Sequence, residues 1–312
     1  MVADELKYAK MPSSIVHPAG LFVSFPKGTR ASQKLDVTYS VGELKYQFWG
    51  PEPLDVTDLR VLQGLSARGT ADVWEAKRML RDGRALKPML SAKGSALLDR
   101  AFAADVARTI AVRFEITSFV ESLGYVRGGS MRKKVLESIA RLSAVSVVIQ
   151  GPDFEVSSRL VTGYVRDRKS GGMVVGLSPT LTAAVFARKN FLAVSLEEVR
   201  KLKSDVARIL HWRLHFINQA DAKKVSLNTL CEYVYPSSDR ATPLGTLRSR
   251  QNRIRQALVE LRQIGWLVFE KKPGVYTIVR PAYKRDEPWM SAAYRGRVKR
   301  HNANKAGHIA NV

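Results

Sequence analysis

One order of elements occurs twice in this chain, and any fold has to accommodate both copies. The first copy begins at residue 113, where "RFEITSFVESLGY" reads as a short strand and a capped helix ending at Gly124. A second helix follows in "GGSMRKKVLESIARLSAV", with Met131, Val135, Ile139 and Leu142 at core spacing. "SVVIQGPDFEVSSRLVTGYV" then gives two strands around Gly151-Pro152-Asp153. In the second copy, "SLEEVRKLKSDVARILHWRLHFIN" is helical, "SLNTLCEYVYPSS" is a second helix, and 243–264 is a basic helix. The hairpin "WLVFEKKPGVYTIVR" closes it, with Lys271-Lys272-Pro273-Gly274 at the tip.

Helix, turn, basic helix, hairpin is the order of a winged-helix module. The expected fold class is α+β: two tandem winged-helix domains, an N-terminal β-hairpin and a flexible basic C-terminal tail. An arm covers 1–34, and "LDVTYSVGELKYQFW" (35–49) alternates as a hairpin about Gly42-Glu43. After the break "GPEPL", the stretch "DVTDLRVLQGLSARG" reads as a helix ended by Gly69. Residues 70–110 are helix-prone but irregular and read as an insertion in a first domain of 35–170. Residues 171–194 form a packed strand–helix–strand connector through Met173, Val175, Leu177, Leu181 and Phe186. The second domain is 195–281, and 282–312 lacks a core pattern while carrying Lys284, Arg285, Arg295, Arg297, Lys299, Arg300 and Lys305.

The second basic helix, "LRSRQNRIRQALVELRQIGW", has two faces. Leu247, Ile254, Leu258 and Leu261, extended by Ala257 and Ile264, form a core-facing stripe. Ser249, Asn252, Gln256 and Glu260 lie opposite, flanked by Arg248, Arg253, Arg255 and Arg262, with Arg250 nearer the buried edge. Asn and Gln pair bidentately with adenine and Arg with guanine, while flanking Arg holds phosphate. The stripe docks the helix on its module and leaves the amide face for a DNA groove. In the first module, Arg132, Lys133, Lys134 and Arg141 suit phosphates, with Arg132 also able to reach a guanine. Lys271 and Lys272 at the hairpin tip suit the backbone.

Composition points the same way. Lys plus Arg is 51 against 28 Asp plus Glu in 312 residues, a net charge of +23, so a polyanion is the first partner to consider. No apolar run approaches the ~20 residues of a spanning helix, and "MVADELKYAKMPSS" has no signal core. Cys231 is the single cysteine, which excludes an internal disulfide or cysteine cluster and fits a reducing cytoplasm. In "LNTLCEYV" it reads as core filler, since no base is near it in sequence.

Four blocks, "KLDVTY", "GPEPLDVTDLRVLQGL", "LNTLCEYVYPS" and "RSRQNRIRQALVELRQIGWLV", resemble in order and spacing the RepC family of IncQ-type plasmid replication initiators. The likeness runs from about residue 15 to 281, is poor through 70–110 and does not reach the tail. It implies a bacterial cytoplasmic, non-enzymatic initiator that binds directly repeated DNA (iterons) at a plasmid origin. Related iteron-binding initiators set two winged-helix domains on successive grooves of one repeat. The resemblance further implies opening of adjacent A·T-rich DNA and loading of the plasmid's helicase and primase; self-association stays open.

Enzymatic alternatives find little support. No G-x-x-x-x-G-K-[ST] is present, and "SAKGSALL" and "RKSGGMVVG" lack the spacing that wraps phosphates, so no nucleotide cofactor is expected. A nicking enzyme with a tyrosine nucleophile needs a metal-binding His pair. His211 and His215 in "HWRLH" share a helix face, but the glutamate of H-E-x-x-H and a third ligand are absent, so a packed helix is the reading and no metal is expected. A transcription repressor built from the same two modules stays open, because groove chemistry alone does not separate it from an initiator. RNA binding is a weaker rival, since the aromatic strand motif of an RRM is missing.

Overall fold

The computed structural model describes residues 6–24, 33–81, 110–168, 170–187, 191–218, 221–236 and 243–281, with the backbone alone over 74–81. Parts of the segment expected as an N-terminal arm are built into the fold. Strand β1 (Tyr8–Met11) pairs antiparallel with β9 (Leu192–Ser195), and the short helix α1 (Ser13–Val16) buries Ile15 and Val16. The expected hairpin is present as β2 (Leu35–Val41) and β3 (Leu44–Gly50). The tail and most of the expected insertion lie outside the described residues.

Helix α2 (Val56–Arg81) is the axis of the first core. It starts on a reciprocal cap: Asp55 Oδ1 accepts from the Thr57 and Asp58 amides, and Asp58 Oδ2 accepts from the Asp55 amide at 2.8 Å. The helix does not end at Gly69, as the sequence suggests, but runs through it. A Cβ there would lie 3.1 Å from Leu177 Cδ1 and 3.2 Å from Val112 Cγ1, so this glycine lets a sheet approach the helix backbone. Gly64 does the same one face round, where a Cβ would fall 2.3 Å from Leu123 Cδ2.

The remaining first-half elements are β4 (Ala111–Glu115), α3 (Ile116–Ser122), α4 (Gly129–Ala144), β5 (Ser146–Gln150), β6 (Glu155–Arg159), β7 (Val161–Arg166) and β8 (Gly172–Leu177). Helix α3 opens on Glu115, whose carboxylate accepts from the Thr117 and Ser118 amides, and stops where Gly124 turns to φ +77°. The two strands expected over 146–165 are three. Leu160 and Val161 are both fully buried, and neighbouring side chains on one strand cannot face the same side of a sheet. The chain therefore changes sheets there, with a bulge between Val161 and Gly163. β5 and β6 extend the first hairpin into a sheet of order β2-β3-β5-β6, whereas β7 joins a sheet of order β4-β8-β7.

Next come α5 (Pro179–Phe186), β9, α6 (Leu196–Lys201), α7 (Asp205–Leu214), β10 (Ala222–Ser226), α8 (Leu227–Val234), α9 (Leu244–Gln263), β11 (Leu267–Lys272) and β12 (Val275–Val279). The helix expected over 195–218 is split at Leu202-Lys203-Ser204. Ser204 Oγ accepts from the Ala207 amide at 3.1 Å, and Glu260 of α9 accepts from the Lys203 and Ser204 amides, so a new helix begins. The last sheet has order β10-β12-β11. Strand, helix, helix, strand, strand thus recurs with one sheet order: β4, α3, α4, β7, β8 and then β10, α8, α9, β11, β12. In the first copy β5–β6 is an insertion, and the hairpin matching β11–β12 is β7–β8.

Two apolar cores meet at a shared joint. Val56 of α2 packs in the second core, and Trp212 of α7 packs in the first, edge-on to Phe22 at 6.0 Å. Polar ties cross the same boundary. Arg280 Nη2 donates to Ala193 O of β9 (2.7 Å) while its Nη1 donates to His215 O and Ile217 O (both 3.1 Å). Arg213 donates to the Val16 and His17 carbonyls. His211 Nε2 meets Glu198 Oε2 at 2.8 Å, and Trp266 Nε1 donates to the same oxygen at 3.1 Å. Burial acts to raise the Glu198 carboxyl, but the His211 and Trp266 hydrogen bonds outweigh it and hold its pKa low.

The joint is sensitive to acid. Burial, with the Arg280 guanidinium and the His211 ring beside it, holds His215 well below the ordinary imidazole value of 6.5. Its folded pKa is lower than its unfolded one, so its contribution is whole above pH 6.5 and declines as pH falls below that value. Urea unfolding between pH 7.5 and 5.5 should lose up to about 1.4 kcal/mol per pH unit below 6.5 through this group. The His215→Leu variant should show a shallower pH dependence than wild type, and identical dependence would contradict this origin.

Candidate nucleic-acid interface

Helix α9 carries most of the residues expected to read DNA. It buries Ile254, Ala257, Leu258 and Leu261, and its chain turns away at Gly265 with φ +97°. Arg248, Ser249, Asn252, Arg253, Arg255 and Gln256 are all exposed on the remaining surface. Asn252 Oδ1 accepts from Arg255 Nη1 at 3.0 Å, which orients the amide. Arg250 is half-buried with its guanidinium 5.0 Å above the Tyr235 ring, at the edge position its spacing predicts. Two positions differ from expectation. Glu260 caps α7 and does not stand free, and its hydrogen bonds to Lys203 and Ser204 outweigh burial and lower its pKa. Leu247 is 38% exposed although it falls on the apolar stripe, because it precedes the first buried residue, Ile254, by two turns.

The hairpin beside α9 turns at Pro273-Gly274, where Gly274 takes φ +73°. Gly274 N donates to Glu270 Oε1, and Gly274 O accepts from the Leu227 amide at the start of α8. The tip is thereby fixed against the helix pair, with Lys271 and Lys272 exposed.

In the first copy, Arg132, Lys133 and Lys134 are exposed on the first turns of α4. Lys133 lies a loose 3.9 Å from Glu137 and remains 79% exposed. Arg141 is elsewhere. Its Nε and Nη2 donate to Asp58 Oδ1 at 3.1 and 2.9 Å, and Asp58 is fully buried. It clamps α4 to α2, so it leaves the set of free phosphate ligands. Burial and the neighbouring Asp55 carboxylate push Asp58 up to about 6 despite this partner. Conversely, Arg166 and Arg168 are exposed at the tip of β7–β8, the hairpin matching β11–β12, and sequence reading missed them. The signal was present in "RDRKSGG", where basic residues precede a turn as in "KKPG", with Gly171 at φ +74°.

Neither His211 nor His215 is placed to hold a metal. Their rings are 4.4 Å apart, His211 is engaged by Glu198, and His215 Nδ1 meets the His211 carbonyl at 2.6 Å. Among the described residues no group of three or more His, Cys, Asp or Glu is arranged around a metal site. Cys231 is half-buried against the second core, and burial raises its thiol pKa beyond the opposing effect of Arg250 and Arg255. No described helix is long and apolar enough to cross a membrane.

Comparison with known proteins adds a family and a fold. The family model described as replication protein C (RepC) matches residues 3–282. No curated protein matches the chain. Among solved structures, a crystal structure of domains 2 and 3 of RctB is similar at TM-score 0.51 and 13% identity, covering 86% of this chain and 97% of that one. Another RctB domain 2–3 structure gives TM-score 0.45 at 13% identity over 82% and 93% of the two chains. The first of these likenesses extends over both cores and bears on fold alone.

Arg141 and the exposed lysines should respond differently to substitution. Arg141→Met strands a buried carboxylate, which should cost about 3 kcal/mol in urea unfolding. Lys133→Ala should fall within about 0.5 kcal/mol of wild type. Unchanged stability in Arg141→Met, with weakened DNA binding, would return Arg141 to the interface.

Proposed function

The chain belongs to the replication protein C (RepC) family, and from that premise we propose that it is a plasmid replication initiator of the IncQ kind. In this reading it binds directly repeated iterons in double-stranded DNA at the origin, promotes local opening, and assists loading of helicase and primase. The protein itself performs no covalent chemistry.

The repeated element order carries the proposal. Each copy pairs a helix exposing basic side chains with a hairpin tipped by basic residues, on a sheet of one order. We read this as a winged-helix module, in which the helix enters the major groove and the hairpin tracks phosphate. We read α9 as the main sequence reader, through Asn252 and Gln256 with Arg248 and Arg253 beside them and Ser249 adjoining. Helix α4, through Arg132, Lys133 and Lys134, supplies phosphate contacts with Arg132 in reach of a guanine. Lys271–Lys272 and Arg166–Arg168 serve as the two phosphate clamps. A net charge of +23 gives the long-range attraction, and the joint through Arg280 makes the two modules one reading unit.

Footprinting on the native plasmid origin, with permanganate detection of unpaired thymines, tests the function. Protection of directly repeated sequences with melting beside them supports an initiator, while operator binding without melting supports a repressor and overturns the proposal. At residue level, Asn252→Ala should cost about 1–3 kcal/mol on the repeat through one base position and little on scrambled DNA. Neutralising either hairpin pair should weaken binding to every sequence and flatten log K against log salt by up to about two units. Equal weakening on repeat and scrambled DNA by Asn252→Ala would remove α9 from the reading role.

A further inference from the structure

Helix α9 is longer than its core requires. Its first ten residues, 244–253, include none that is buried, and the first buried side chain is Ile254. At 1.5 Å per residue, that is about 15 Å of helix without a fully buried side chain, held on one side by half-buried Arg250 over the Tyr235 ring. Two leucines stand on this stretch, Leu244 at 75% exposure and Leu247, on the line of Ile254, at 38%. Leu244 lies one turn before Arg248 and so adjoins the Asn252 face, and no side chain caps the helix start at Pro243. Gly245 falls on the outward line with Asn252, and a Cβ added there would meet nothing within 4 Å. Glycine inside a helix costs about 1 kcal/mol relative to alanine. Packing gives it no reason to be there, but close backbone approach to a ligand does.

We propose that the start of α9 reads a thymine, with Leu244 contacting its C5-methyl group in the major groove. The assignment rests on the reading of α9 as a DNA-recognition helix. The chemistry selects one occupant. The exposed neighbours Arg248 and Arg253 favour a polyanion, whereas Leu244 favours an apolar spot within it. The thymine methyl is the apolar group that a DNA groove presents among its phosphates and polar base edges. Uracil lacks it, and the major groove of an A-form RNA helix is too narrow for side chains to read.

The test uses the full chain and a randomised duplex pool, from which the preferred sequence is selected. That duplex is then remade with each thymine replaced in turn by deoxyuridine, which deletes one methyl and preserves base pairing. Wild type should lose about fourfold in affinity at one or more positions, the value of one buried methyl-sized group. The Leu244→Ala variant, altered at an exposed site, should bind the thymine and deoxyuridine duplexes equally. Equal wild-type affinity for both duplexes overturns the assignment while leaving the DNA-reading role intact. Persistent discrimination by this variant likewise overturns it. A pool that yields no preferred sequence overturns the DNA-reading role itself, and this assignment with it.

Discussion

Arg280 is only 4% exposed, and its guanidinium bridges elements of the chain's two halves. A buried charge of this kind is tolerated where its donors are satisfied, and removing its partners costs several kcal/mol. Here the acceptors are carbonyls from β9 and from the end of α7, so the end of β12 is tied to both. The carbonyls at the C-terminus of α7 gain a cation where the helix dipole favours one. Beside it, the His211–Glu198–Trp266 cluster joins α7, α6 and the residue before β11. Exchange of Val56 and Trp212 between the cores adds apolar contact on the same boundary. With these ties in place, the separation of α4 and α9 is a property of the fold and not of a linker.

Within each half, ion pairs and caps decide which basic residues are free. The Asp58–Arg141 pair fixes α4 against α2 and leaves Arg132, Lys133 and Lys134 facing water. Glu260, on the outer side with Gln256, fixes the C-terminal half of α9 against the start of α7, and Ser249, Asn252 and Gln256 stay exposed. Two carboxylates thus set helix orientation, while Arg132, Lys133, Lys134, Arg248 and Arg253 stay exposed where phosphates can reach them.

Much of this was legible in the residues. Period and caps predicted α3, α4, α8 and α9 and the hairpins at Gly42-Glu43 and Pro273-Gly274, because local turn chemistry and apolar spacing act over a few residues. What escaped depended on distant partners. Gly69 reads locally as a stop, yet Leu177 and Val112, more than forty residues away, give it a packing role. Arg141 matches its basic neighbours in sequence, and only Asp58, in another helix, separates it from them. Leu160-Val161 reads as the middle of one strand until two sheets compete for it. Leu247 follows the apolar period but lies beyond the core that the period implies, since periodicity reports a face and not where packing ends.

The central claim is that two modules held by a rigid joint read one DNA repeat together. The direct measurement is affinity for a footprinted repeat lengthened by about five base pairs between its two protected halves, which turns one half by roughly half of a ~10.5 bp helical turn. A fixed joint predicts that affinity falls to what a single module retains, with one half of the footprint lost. Near-normal affinity with both halves protected would mean that the modules bind independently, as a flexible tether allows, and would contradict the account.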